Sequence, residues 1–394
     1  MNAVSPLRIL NIGLDRALLE EHGRSESQTR QALYAQEIPA EITHLVKAPR
    51  ASRRERLMLG GGLVRVIPVP VRHWAEFPLA GIRAGSRVLR QEKIDIIQAQ
   101  EPILCGLVGL WLSRRYRVPL IVGAFTDQVA NPAWASASLV NRLADVVGRA
   151  IYARADAIRA DSLAVMQRLH ASGFPQTHFI PFLITNAEML AHPTAEAAVV
   201  RRTLLGGRSG PLLLAVARLE SEKNMELMLQ AVESIVKSVT GVVLAVVGDG
   251  SLRKQLQQRF AAEWVRWLGW VPNTELAAYY QAADLSLLSS DIESSARVLT
   301  ESLLAGTPVL TTDTAGAREV IEDNRSGRIV PTGDLKVFTE ALLELCQAPR
   351  HLEEMGTYGQ QMVSTHMSRA NIISELRQLC AQVIRRSQGE SVVV

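Results

Sequence analysis

The sequence predicts an α/β fold made of two doubly wound domains with a cleft between them. Short apolar runs alternate with helical patterns along the chain, which is typical of parallel βαβ units. The alternation stops at a polar stretch over 185–211 that contains Pro193, Gly206, Gly207 and Gly210, and then starts again. A length of 394 residues suits two domains, and 47% apolar residues suffice for two buried cores.

In the first half, strands are predicted where apolar runs are short and helices where apolar residues recur at helical spacing. The predicted strands are Leu7–Ile12, Thr43–Val46, Leu63–Val69, Ile94–Ala99, Leu120–Ala124, Ala157–Ala160 and His178–Pro181. The predicted helices are Gln28–Gln36, Arg83–Arg90, Ile103–Leu112 and Leu139–Ala153.

The second half repeats this pattern after the polar stretch, which itself has room for one short helix. The predicted strands are Leu212–Ala217, Val242–Val247, Val265–Trp267, Leu285–Leu288, Val309–Thr311 and Arg328–Val330. The predicted helices are Met225–Val236, Leu252–Ala262, Thr274–Ala282, Val298–Leu304, Ala317–Ile321, Leu335–Gln347 and Ala370–Ile384. Ligands of such sheets lie at the carboxyl ends of the strands, so the residues that follow each strand are the candidates for function.

Composition restricts the compartment and the class of protein. No apolar run reaches the ~18 residues that a membrane-spanning helix needs. Cys105, Cys346 and Cys380 lie far apart, which argues against a disulfide scaffold and against a cysteine zinc site. The first residues have the pattern of a buried strand and lack a signal-peptide cleavage site. The sequence therefore predicts a cytoplasmic protein.

Charge is distributed unevenly along the chain. Residues 1–185 hold 23 Lys and Arg against 15 Asp and Glu, whereas residues 186–394 hold 20 against 24. A basic first half favours an anionic partner there, such as a membrane surface, a phosphorylated lipid or nucleic acid. A basic surface that is merely solvated fits the same counts.

The sharpest local signal is a pair of cations at the end of a predicted strand. Arg218 follows the strand Leu212–Ala217, and Lys223 lies five residues later, just before a helix. Two cations beside the free amides of a helix N-terminus form an anion site, and a diphosphate is its natural ligand. Surface charges paired with Glu220 and Glu222 are the alternative interpretation.

A second signal is a pair of carboxylates, Glu293 and Glu301, eight residues apart. Ser294 or Ser295 is predicted to cap a helix that starts near Ala296, which places Glu293 in the loop and Glu301 inside the helix. A carboxylate inside an apolar helix is costly unless it accepts hydrogen bonds, and the cis-diol of a ribose would supply two donors. Two solvated acids on a helix are the alternative.

A third, weaker signal is the turn Gly248-Asp249-Gly250 after the strand Val242–Val247. The two glycines are expected to let the backbone approach a ligand closely. Many βα turns contain this motif, so it gains weight only from its place in the chain.

These elements occur in an order that resembles glycosyltransferase family 4. The order is Arg218/Lys223, Gly248-Asp249-Gly250, Gly269-Trp-Val-Pro272, Glu293-x7-Glu301 and Gly306-Thr-Pro308-Val309, continued by Asp313, Gly316, Glu319 and Gly327. The resemblance is strong over roughly 211–332 and fainter over 155–182. It implies the GT-B fold, with an acceptor-binding domain at 1–183, a nucleotide-sugar-binding domain at 184–368 and a helix at 369–394 that crosses back to the first domain.

The resemblance also implies roles for individual residues. Arg218 and Lys223 would hold the diphosphate of the donor, Glu301 the ribose hydroxyls and Glu293 the transferred sugar, so that Arg218, Lys223 and Glu293 form the catalytic set. The remaining implied donor contacts are the turn residues Gly248 and Asp249, the base-bordering residues Trp267, Leu268 and Gly269, and the amides near Arg297 and Val298. The family retains the anomeric configuration and needs no metal, and the sequence has no Asp-x-Asp or histidine cluster with ligand spacing.

The chain departs from the family pattern at three places. It has Ser294-Ser295-Ala296 where the family often has Gly-Phe-Gly. Its first loop, Ile12–Arg16, contains only one glycine, Gly13, next to Asp15. After the strand Leu120–Ala124 it has Phe125-Thr126-Asp127 where many members have a histidine. The residues assigned to the acceptor side of the cleft are therefore Gly13, Asp15 and Asp127.

The predicted acceptor is a glycan or a polyprenyl-diphosphate-linked glycan in surface polysaccharide assembly. Basic clusters at 50–56, at Arg83, Arg87 and Arg90, and at 111–117 suit an anionic membrane surface, so peripheral attachment to its inner face is expected. Nucleic acid is not expected, because aromatic residues are scarce and no nucleic-acid motif occurs. Two alternatives remain: a nucleotide-sugar epimerase on the same fold and a non-catalytic nucleotide-sugar-binding subunit.

Overall fold

The computed structural model describes residues 6–20, 25–50, 57–293 and 297–389. The chain divides into two compact units. The first unit comprises Met1–Thr185 together with Arg369–Val394, and the second comprises Asn186–Ser368. None of the helices described has both the length and the apolar character required to cross a bilayer.

The first unit is built on an eight-stranded sheet with the order β3-β4-β2-β1-β5-β6-β7-β8. Its strands are β1 (Leu7–Gly13), β2 (Ala40–Pro49), β3 (Leu57–Leu59), β4 (Val64–Val71), β5 (Ile96–Ala99), β6 (Leu120–Ala124), β7 (Ala157–Ala160) and β8 (Thr177–Phe179). All neighbours pair in parallel except β3, which pairs antiparallel with β4. The seven predicted strands are present, and the antiparallel edge strand β3 was not predicted because it is only three residues long.

Helices cover both faces of this sheet. They are α1 (Glu26–Glu37), α2 (Phe77–Gln91), α3 (Leu104–Tyr116), α4 (Pro132–Ser136), α5 (Leu139–Tyr152) and α6 (Leu163–Ala171). On one face, α2, α3 and α5 contribute Phe77, Leu112 and Tyr152 to a core over the central strands. On the other face, α1 contributes Tyr34 and Ala35 to a second core.

The second unit is built on six parallel strands in the order β11-β10-β9-β12-β13-β14. They are β9 (Leu212–Val216), β10 (Val243–Val247), β11 (Val265–Gly269), β12 (Leu285–Leu288), β13 (Val309–Thr312) and β14 (Gly327–Val330). Each strand was predicted to within two residues, because a parallel sheet covered on both faces requires an almost continuous apolar run in every strand.

The helices of this unit are α7 (Ala187–Ala191), α8 (Ala195–Leu205), α9 (Met225–Ile235), α10 (Arg253–Arg259), α11 (Leu276–Ala282), α12 (Arg297–Leu304), α13 (Ala315–Val320), α14 (Leu335–Cys346) and α15 (Pro349–His366). Two expectations were wrong here. The stretch 185–211 contains two helices rather than one, because Pro193 separates α7 from α8 and does not end the helical region. The helix α15 was not predicted, because Gly356 and Gly359 interrupt its pattern.

The last helix, α16 (Arg369–Ser387), belongs to the first unit. Its apolar side chains, among them Ile372, Leu376 and Val383, pack into the same core as Tyr34 of α1. Arg369 and Arg377 reach Glu37 at the end of α1, the first through its carboxylate and the second through its carbonyl oxygen. The helix thus completes the layer that α1 begins.

Candidate functional site

The loop after β9 carries the two predicted cations, but their surroundings differ. Lys223 ends a short 3₁₀ turn, and Asn224 then adopts a left-handed conformation (φ 42°) that starts α9. The side chain of Lys223 is only 14% exposed. Arg218 is 70% exposed and donates to Glu222 of the same loop at 2.7 Å. Lys223 is therefore held in place, whereas Arg218 is free to reorient at little cost, since exposed ion pairs contribute little.

Lys223 forms an ion pair with Glu293, which follows the neighbouring strand β12. The carboxylate of Glu293 is 15% exposed, so both partners are largely withdrawn from water. The carbonyl oxygen of Glu293 accepts from the amide of Gly316 at the start of α13, at 2.9 Å. Seventy residues apart in sequence, Lys223 and Glu293 meet because β9 and β12 are adjacent and their carboxyl ends lie at one edge of the sheet.

Two further contacts fix the loops that carry this ion pair. Asn224 donates its side-chain amide to Asp291 at 2.9 Å, and the amide of Asp291 donates to the carbonyl of Glu222 at the same distance. Sequence reasoning missed Asp291 and Asn224 as loop partners, although each lies next to a predicted site residue.

Glu301 lies inside α12 and is buried, with a relative exposure of 3%. The hydroxyl of Tyr280 donates to its Oε2 at 3.1 Å, and the guanidinium of Arg297 lies 3.5 Å from Oε1. Burial and the carboxylate of Glu301 raise the pKa of Tyr280 well above its ordinary value, so this hydroxyl remains a donor. Tyr280 and Arg297 thus supply the partners that the buried carboxylate needs, and neither partner was predicted.

The N-terminal turn of α12 carries Arg297 and Val298, the first described residues after Glu293. The predicted capping serines, Ser294 and Ser295, and the departure from the family pattern at Ser294-Ser295-Ala296 lie outside the described residues. The backbone amides of Arg297 and Val298 lie at the helix end where partial positive charge accumulates.

The glycines in the turn after β10 have a packing role that was not predicted from the sequence. Gly248 (φ 133°) and Gly250 were expected to let the backbone approach a ligand. A Cβ atom on Gly248 would lie 1.8 Å from the carbonyl oxygen of Ala217, and one on Gly250 would lie 2.5 Å from that of Leu219. The glycines therefore allow the turns after β9 and β10 to pack against each other.

Asp249, between these glycines, is engaged within its own turn. It accepts from the amide of Gly250 at 2.8 Å and forms an ion pair with Arg253 at 2.8 Å. The pKa of Asp249 is lowered, chiefly by the Gly250 amide and then by Arg253. Asp249 is thus an ionised, exposed group that orients Arg253 at the start of α10.

The end of β11 carries the residues expected to border the base. The carbonyl of Gly269 accepts from the amide of Gly248 at 2.7 Å, so Leu268 and Gly269 lie directly beside the turn after β10. Trp267 packs against the core of the second unit, and its indole Nε1 is buried without a hydrogen-bond partner among the described residues. Among the described residues, this indole N–H is therefore a buried donor without a partner.

The structure therefore gathers most of the predicted residues at the carboxyl edge of the second sheet, in separate contacts. Lys223 and Glu293 touch each other. Arg218 contacts Glu222, and Glu301 contacts Tyr280 and Arg297. The prediction that these two cations and two carboxylates converge around one nucleotide sugar stays a prediction, because only Lys223 and Glu293 contact each other directly.

The first unit contains a cavity of about 380 Å³ at the carboxyl ends of β1, β5 and β6. Among its lining residues, polar side chains predominate: Asp15, Arg30, Gln31, Gln100, Glu101, Thr126 and Gln128, with Leu14, Phe125 and Phe182. A Cβ atom on Gly13 would lie 2.3 Å from the side chain of Gln100, so the single glycine of the first loop makes room for a cavity residue. The lining thus combines hydrogen-bonding side chains with apolar surface, and this combination suits the hydroxyls and the ring of a sugar.

Glu101 is the most unusual group in this cavity. It follows β5, and the amides of Ile103 and Cys105 donate to its carboxylate. Burial raises the pKa of Glu101, although those amides act in the opposite direction. Glu101 and Gln100 were not predicted as site residues, although both follow the strand Ile96–Ala99 and ligands bind at the carboxyl ends of such strands.

Of the two acidic residues predicted on the acceptor side, only Asp15 lines the cavity. It accepts from the amide of Ala17 at 3.0 Å and from the hydroxyl of Ser27 at 2.5 Å. Asp127 forms an ion pair with Arg168 through both carboxylate oxygens and is not among the residues that line this cavity. Asp127 is thus paired with Arg168, although its neighbours Thr126 and Gln128 line the cavity.

Family models match both halves of the chain. Residues 205–362 match the model described as glycosyl transferases group 1, and residues 28–182 match the model described as glycosyl transferase 4-like domain. The first match contains the loop after β9, Glu293 and Glu301, and the second contains most of the cavity residues.

Individual proteins are also similar. A GDP-mannose-dependent alpha-mannosyltransferase of Mycobacterium tuberculosis (strain CDC 1551 / Oshkosh) is 30% identical over 295 residues, which cover 73% of this chain and 74% of that protein. An alpha-monoglucosyldiacylglycerol synthase of Streptococcus pneumoniae (strain ATCC BAA-255 / R6) is 26% identical over 279 residues, covering 68% and 63%. A crystal structure of Anabaena HepE in complex with UDP and glucose has a TM-score of 0.75 at 17% identity and covers 95% of this chain and all of that one. This likeness confirms the fold class predicted from the sequence.

Proposed function

The chain belongs to glycosyltransferase family 4 and is a nucleotide-sugar-dependent glycosyltransferase, and from this premise we propose a specific reaction. It transfers a hexose, with retention of the anomeric configuration, from a nucleoside-diphosphate sugar to a hydroxyl of a glycan or lipid-linked acceptor in surface polysaccharide assembly. One observation carries the proposal: the partly buried ion pair of Lys223 with Glu293, beside Arg218, at the carboxyl edge of the second sheet.

The barrier to this reaction lies in separating a cationic sugar from an anionic leaving group. The bond between the anomeric carbon and the β-phosphate oxygen breaks, and negative charge develops on the diphosphate. Lys223 and Arg218 supply positive charge there, together with the amides at the start of α12. Lys223 is already desolvated, so its interaction with the developing charge is stronger than that of an exposed lysine.

Donor binding changes the partners of both acidic and basic groups. The diphosphate replaces Glu293 as the partner of Lys223, and the released carboxylate accepts hydrogen bonds from the hydroxyls of the transferred sugar. Arg218 leaves Glu222 and donates to the phosphate through its planar fork. The acceptor hydroxyl attacks the face that the leaving group departs from, and its proton goes to the departing phosphate oxygen.

Residues at the same edge of the second sheet make the remaining contacts with the donor. Glu301 accepts from the ribose hydroxyls beside its bond to Tyr280, and the end of β11, Trp267–Gly269, borders the base. The cavity of the first unit takes the acceptor sugar, whose hydroxyls donate hydrogen bonds to Asp15 and Glu101. Support for a lipid-linked acceptor comes from the diacylglycerol named in one similar protein.

The test is a panel of nucleotide sugars, each offered with glycan and lipid-linked acceptors, with binding followed by thermal shift and turnover by release of the nucleoside diphosphate. Lys223→Ala and Arg218→Ala each lose ~10²–10³ in turnover with the donor that binds best. Lys237→Ala, an exposed lysine beyond the same helix α9, is the matched control and keeps full turnover. An Arg218→Ala or Lys223→Ala protein with full turnover contradicts the diphosphate role. The anomeric proton coupling of the product, measured by NMR, tests retention.

The same panel separates the two alternatives. An epimerase converts one nucleotide sugar into another without acceptor and without net release of nucleotide. A non-catalytic subunit binds the donor and releases nothing.

We also propose that the transfer needs no metal, because protein cations and amides alone neutralise the diphosphate. Among the described residues, no group of three His, Cys, Asp or Glu side chains is placed to hold a metal ion. Turnover is expected to be unchanged by excess EDTA, measured in the nucleotide-release assay. A loss that added Mg²⁺ or Mn²⁺ restores contradicts this proposal.

A further inference from the structure

The helix α5 exposes an apolar stripe that the sequence analysis did not single out. Leu139, Val140, Leu143 and Val146 are between 59% and 79% exposed. Their spacing of three and four residues places Leu139, Leu143 and Val146 along one side of the helix. A stripe of this size is unusual on a surface that only meets water.

The two neighbouring helices add apolar side chains of the same kind. On α3, Leu107 and Trp111 are 40% and 44% exposed, and on α2, Leu79 is 65% exposed. Tryptophan and leucine beside arginine are the residues that occupy the interface of a bilayer.

The charge of these three helices is almost entirely of one sign. They carry seven arginines: Arg83, Arg87 and Arg90 on α2, Arg114 and Arg115 on α3, and Arg142 and Arg149 on α5. Their single acidic residue is Asp145, whose side chain is 13% exposed and is bonded to the amide of Ala130 and to Arg149. The exposed surface of the three helices is therefore strongly cationic.

Close packing makes these exposed residues parts of one surface. Cβ atoms on Gly81 and Gly85 of α2 would lie 3.0 and 2.4 Å from Val108 and Leu112 of α3, so the two helices touch along their length. A Cβ atom on Gly106 of α3 would lie 3.0 Å from Ile151 of α5. The three helices form one layer over the first sheet, and their outward sides adjoin.

We propose that this outer helical face, formed by the exposed residues of α2, α3 and α5 named above, docks the protein onto an anionic lipid bilayer. The apolar stripe of α5 and Trp111 enter the boundary between headgroups and acyl chains, while the arginines contact lipid phosphates. Docking of this face places the enzyme where a lipid-linked acceptor is found. Its value for catalysis therefore rests on the proposed function.

Charge argues for a bilayer over the other occupants of such a face. In a symmetric contact with a second copy, seven arginines would oppose seven arginines, which is unfavourable. A nucleic acid would use the arginines and leave Leu139, Leu143 and Val146 without an apolar partner. An anionic bilayer matches both the charge and the apolar stripe.

The test is co-sedimentation of the full chain with vesicles of pure phosphatidylcholine and with vesicles that contain phosphatidylglycerol, at low and high salt. The protein is expected to bind the anionic vesicles, more weakly at high salt, and to bind the neutral ones far less. This measurement needs neither donor nor acceptor. Vesicle binding can therefore fail while sugar transfer is observed, and sugar transfer can fail while vesicle binding is observed.

Two sets of substitutions separate the charge from the apolar stripe. Arg83→Gln/Arg87→Gln/Arg90→Gln is expected to weaken binding to anionic vesicles about 100-fold, since each basic residue near the surface contributes about a factor of five. Leu143→Asp/Val146→Asp is expected to weaken it at least about 10-fold. Matched controls in the second unit, Val199→Asp and Arg202→Gln on the exposed side of α8, bind as the unchanged protein does.

Unfolding midpoints and donor-dependent nucleotide release of all variants are expected to match those of the unchanged protein, because the substituted residues are exposed. Equal binding to neutral and anionic vesicles, no binding to either, or full binding by both variant sets overturns the proposal. A dimer in light scattering that Leu143→Asp/Val146→Asp dissolves also overturns it, because the face is then covered by a second copy.

Discussion

Glu293 and Lys223 depend on each other, because each is the charged neighbour that makes the other's burial tolerable. Glu293→Gln keeps the shape of the side chain and removes its charge. We expect this variant to bind a free nucleoside diphosphate several-fold more tightly, because the ligand no longer displaces a carboxylate from Lys223. Turnover of the nucleotide sugar falls, because the sugar loses an acceptor. Titration calorimetry with the free nucleotide and the release assay measure the two effects.

Glu233→Gln is the control for this experiment, since Glu233 is an exposed acid on α9. Weaker binding of the free nucleotide to Glu293→Gln would mean that Glu293 does not compete for Lys223. The ion pair would then serve only to hold the loops.

His44 gives a prediction for the pH dependence of stability. It is fully buried in β2, both ring nitrogens lack partners among the described residues, and burial lowers its pKa to about 4, against a smaller opposite effect of Asp15. The unfolded chain therefore takes up this proton at a higher pH than the folded chain. The stability that neutral His44 allows is complete above its unfolded pKa of about 6.5 and is lost as the pH falls towards 4.

His44→Leu isolates this contribution. Between pH 7 and pH 4.5 the unchanged protein is expected to lose about 2 kcal/mol more than the variant. Urea unfolding of both proteins at the two pH values measures the difference. An equal loss in both would mean that His44 is protonated in the folded chain.

Single residues were predictable from the sequence where the strand itself positions them. Lys223 and Glu293 each follow a recognisable strand, so their meeting follows from strand order. Asp127 was assigned to the acceptor side because it lies near the place where many family members have a histidine, and its ion pair with Arg168, 41 residues later, was not predicted. No pattern in the sequence around Asp127 indicates that Arg168 is its partner.

At the scale of elements, Gly248 shows how a motif with a ligand-binding pattern serves packing. Gly248→Ala adds a Cβ atom 1.8 Å from the carbonyl oxygen of Ala217 at a φ of 133°. Gly333→Ala also places alanine at a positive φ (74°), but with no atom within 4 Å of its Cβ. We expect Gly333→Ala to cost about 1 kcal/mol and Gly248→Ala at least about 3 kcal/mol, because only the latter forces two turns apart. Unfolding midpoints in urea, compared side by side, measure both.

Equal costs for the two substitutions would mean that the turns after β9 and β10 separate easily. The glycine would then be required for its backbone angle alone.

The helix α15 shows why some elements escape sequence analysis. Gly356 and Gly359 interrupt its pattern and argue against a helix. In the structure, a Cβ atom on Gly356 would lie 2.0 Å from the carbonyl oxygen of Gly306, and one on Gly359 would lie 2.7 Å from Leu303 of α12. The glycines let α15 approach α12 closely, so packing in three dimensions outweighs local propensity.

At the scale of the whole molecule, the alternation of strands and helices sufficed to predict two α/β units and the fold class. It predicted a sheet edge where ligands bind, because parallel strands carry their carboxyl ends together. It did not predict the side-chain partners at that edge, such as Tyr280 for Glu301, since these depend on rotamers and on distances between helices. The same rule predicts that Gln100 and Glu101, which follow β5, lie at a ligand-binding edge of the first sheet.

The three cysteines give a prediction for the molecule as a whole. Cys105 and Cys380 are buried thiols, and Cys346 is half-buried. Burial raises the pKa of Cys380 to about 11 and that of Cys346 to about 12, and it raises the pKa of Cys105 well above its ordinary value. Because the thiolate is the reactive form, iodoacetamide at pH 7.5 is expected to leave the native chain almost unlabelled and to label all three thiols in guanidinium. Mass spectrometry after a short pulse counts the labels. Rapid labelling of Cys105 or Cys380 in the native chain would show that the core of the first unit opens on the timescale of the pulse, and faster labelling of Cys346 would show the same for the second unit.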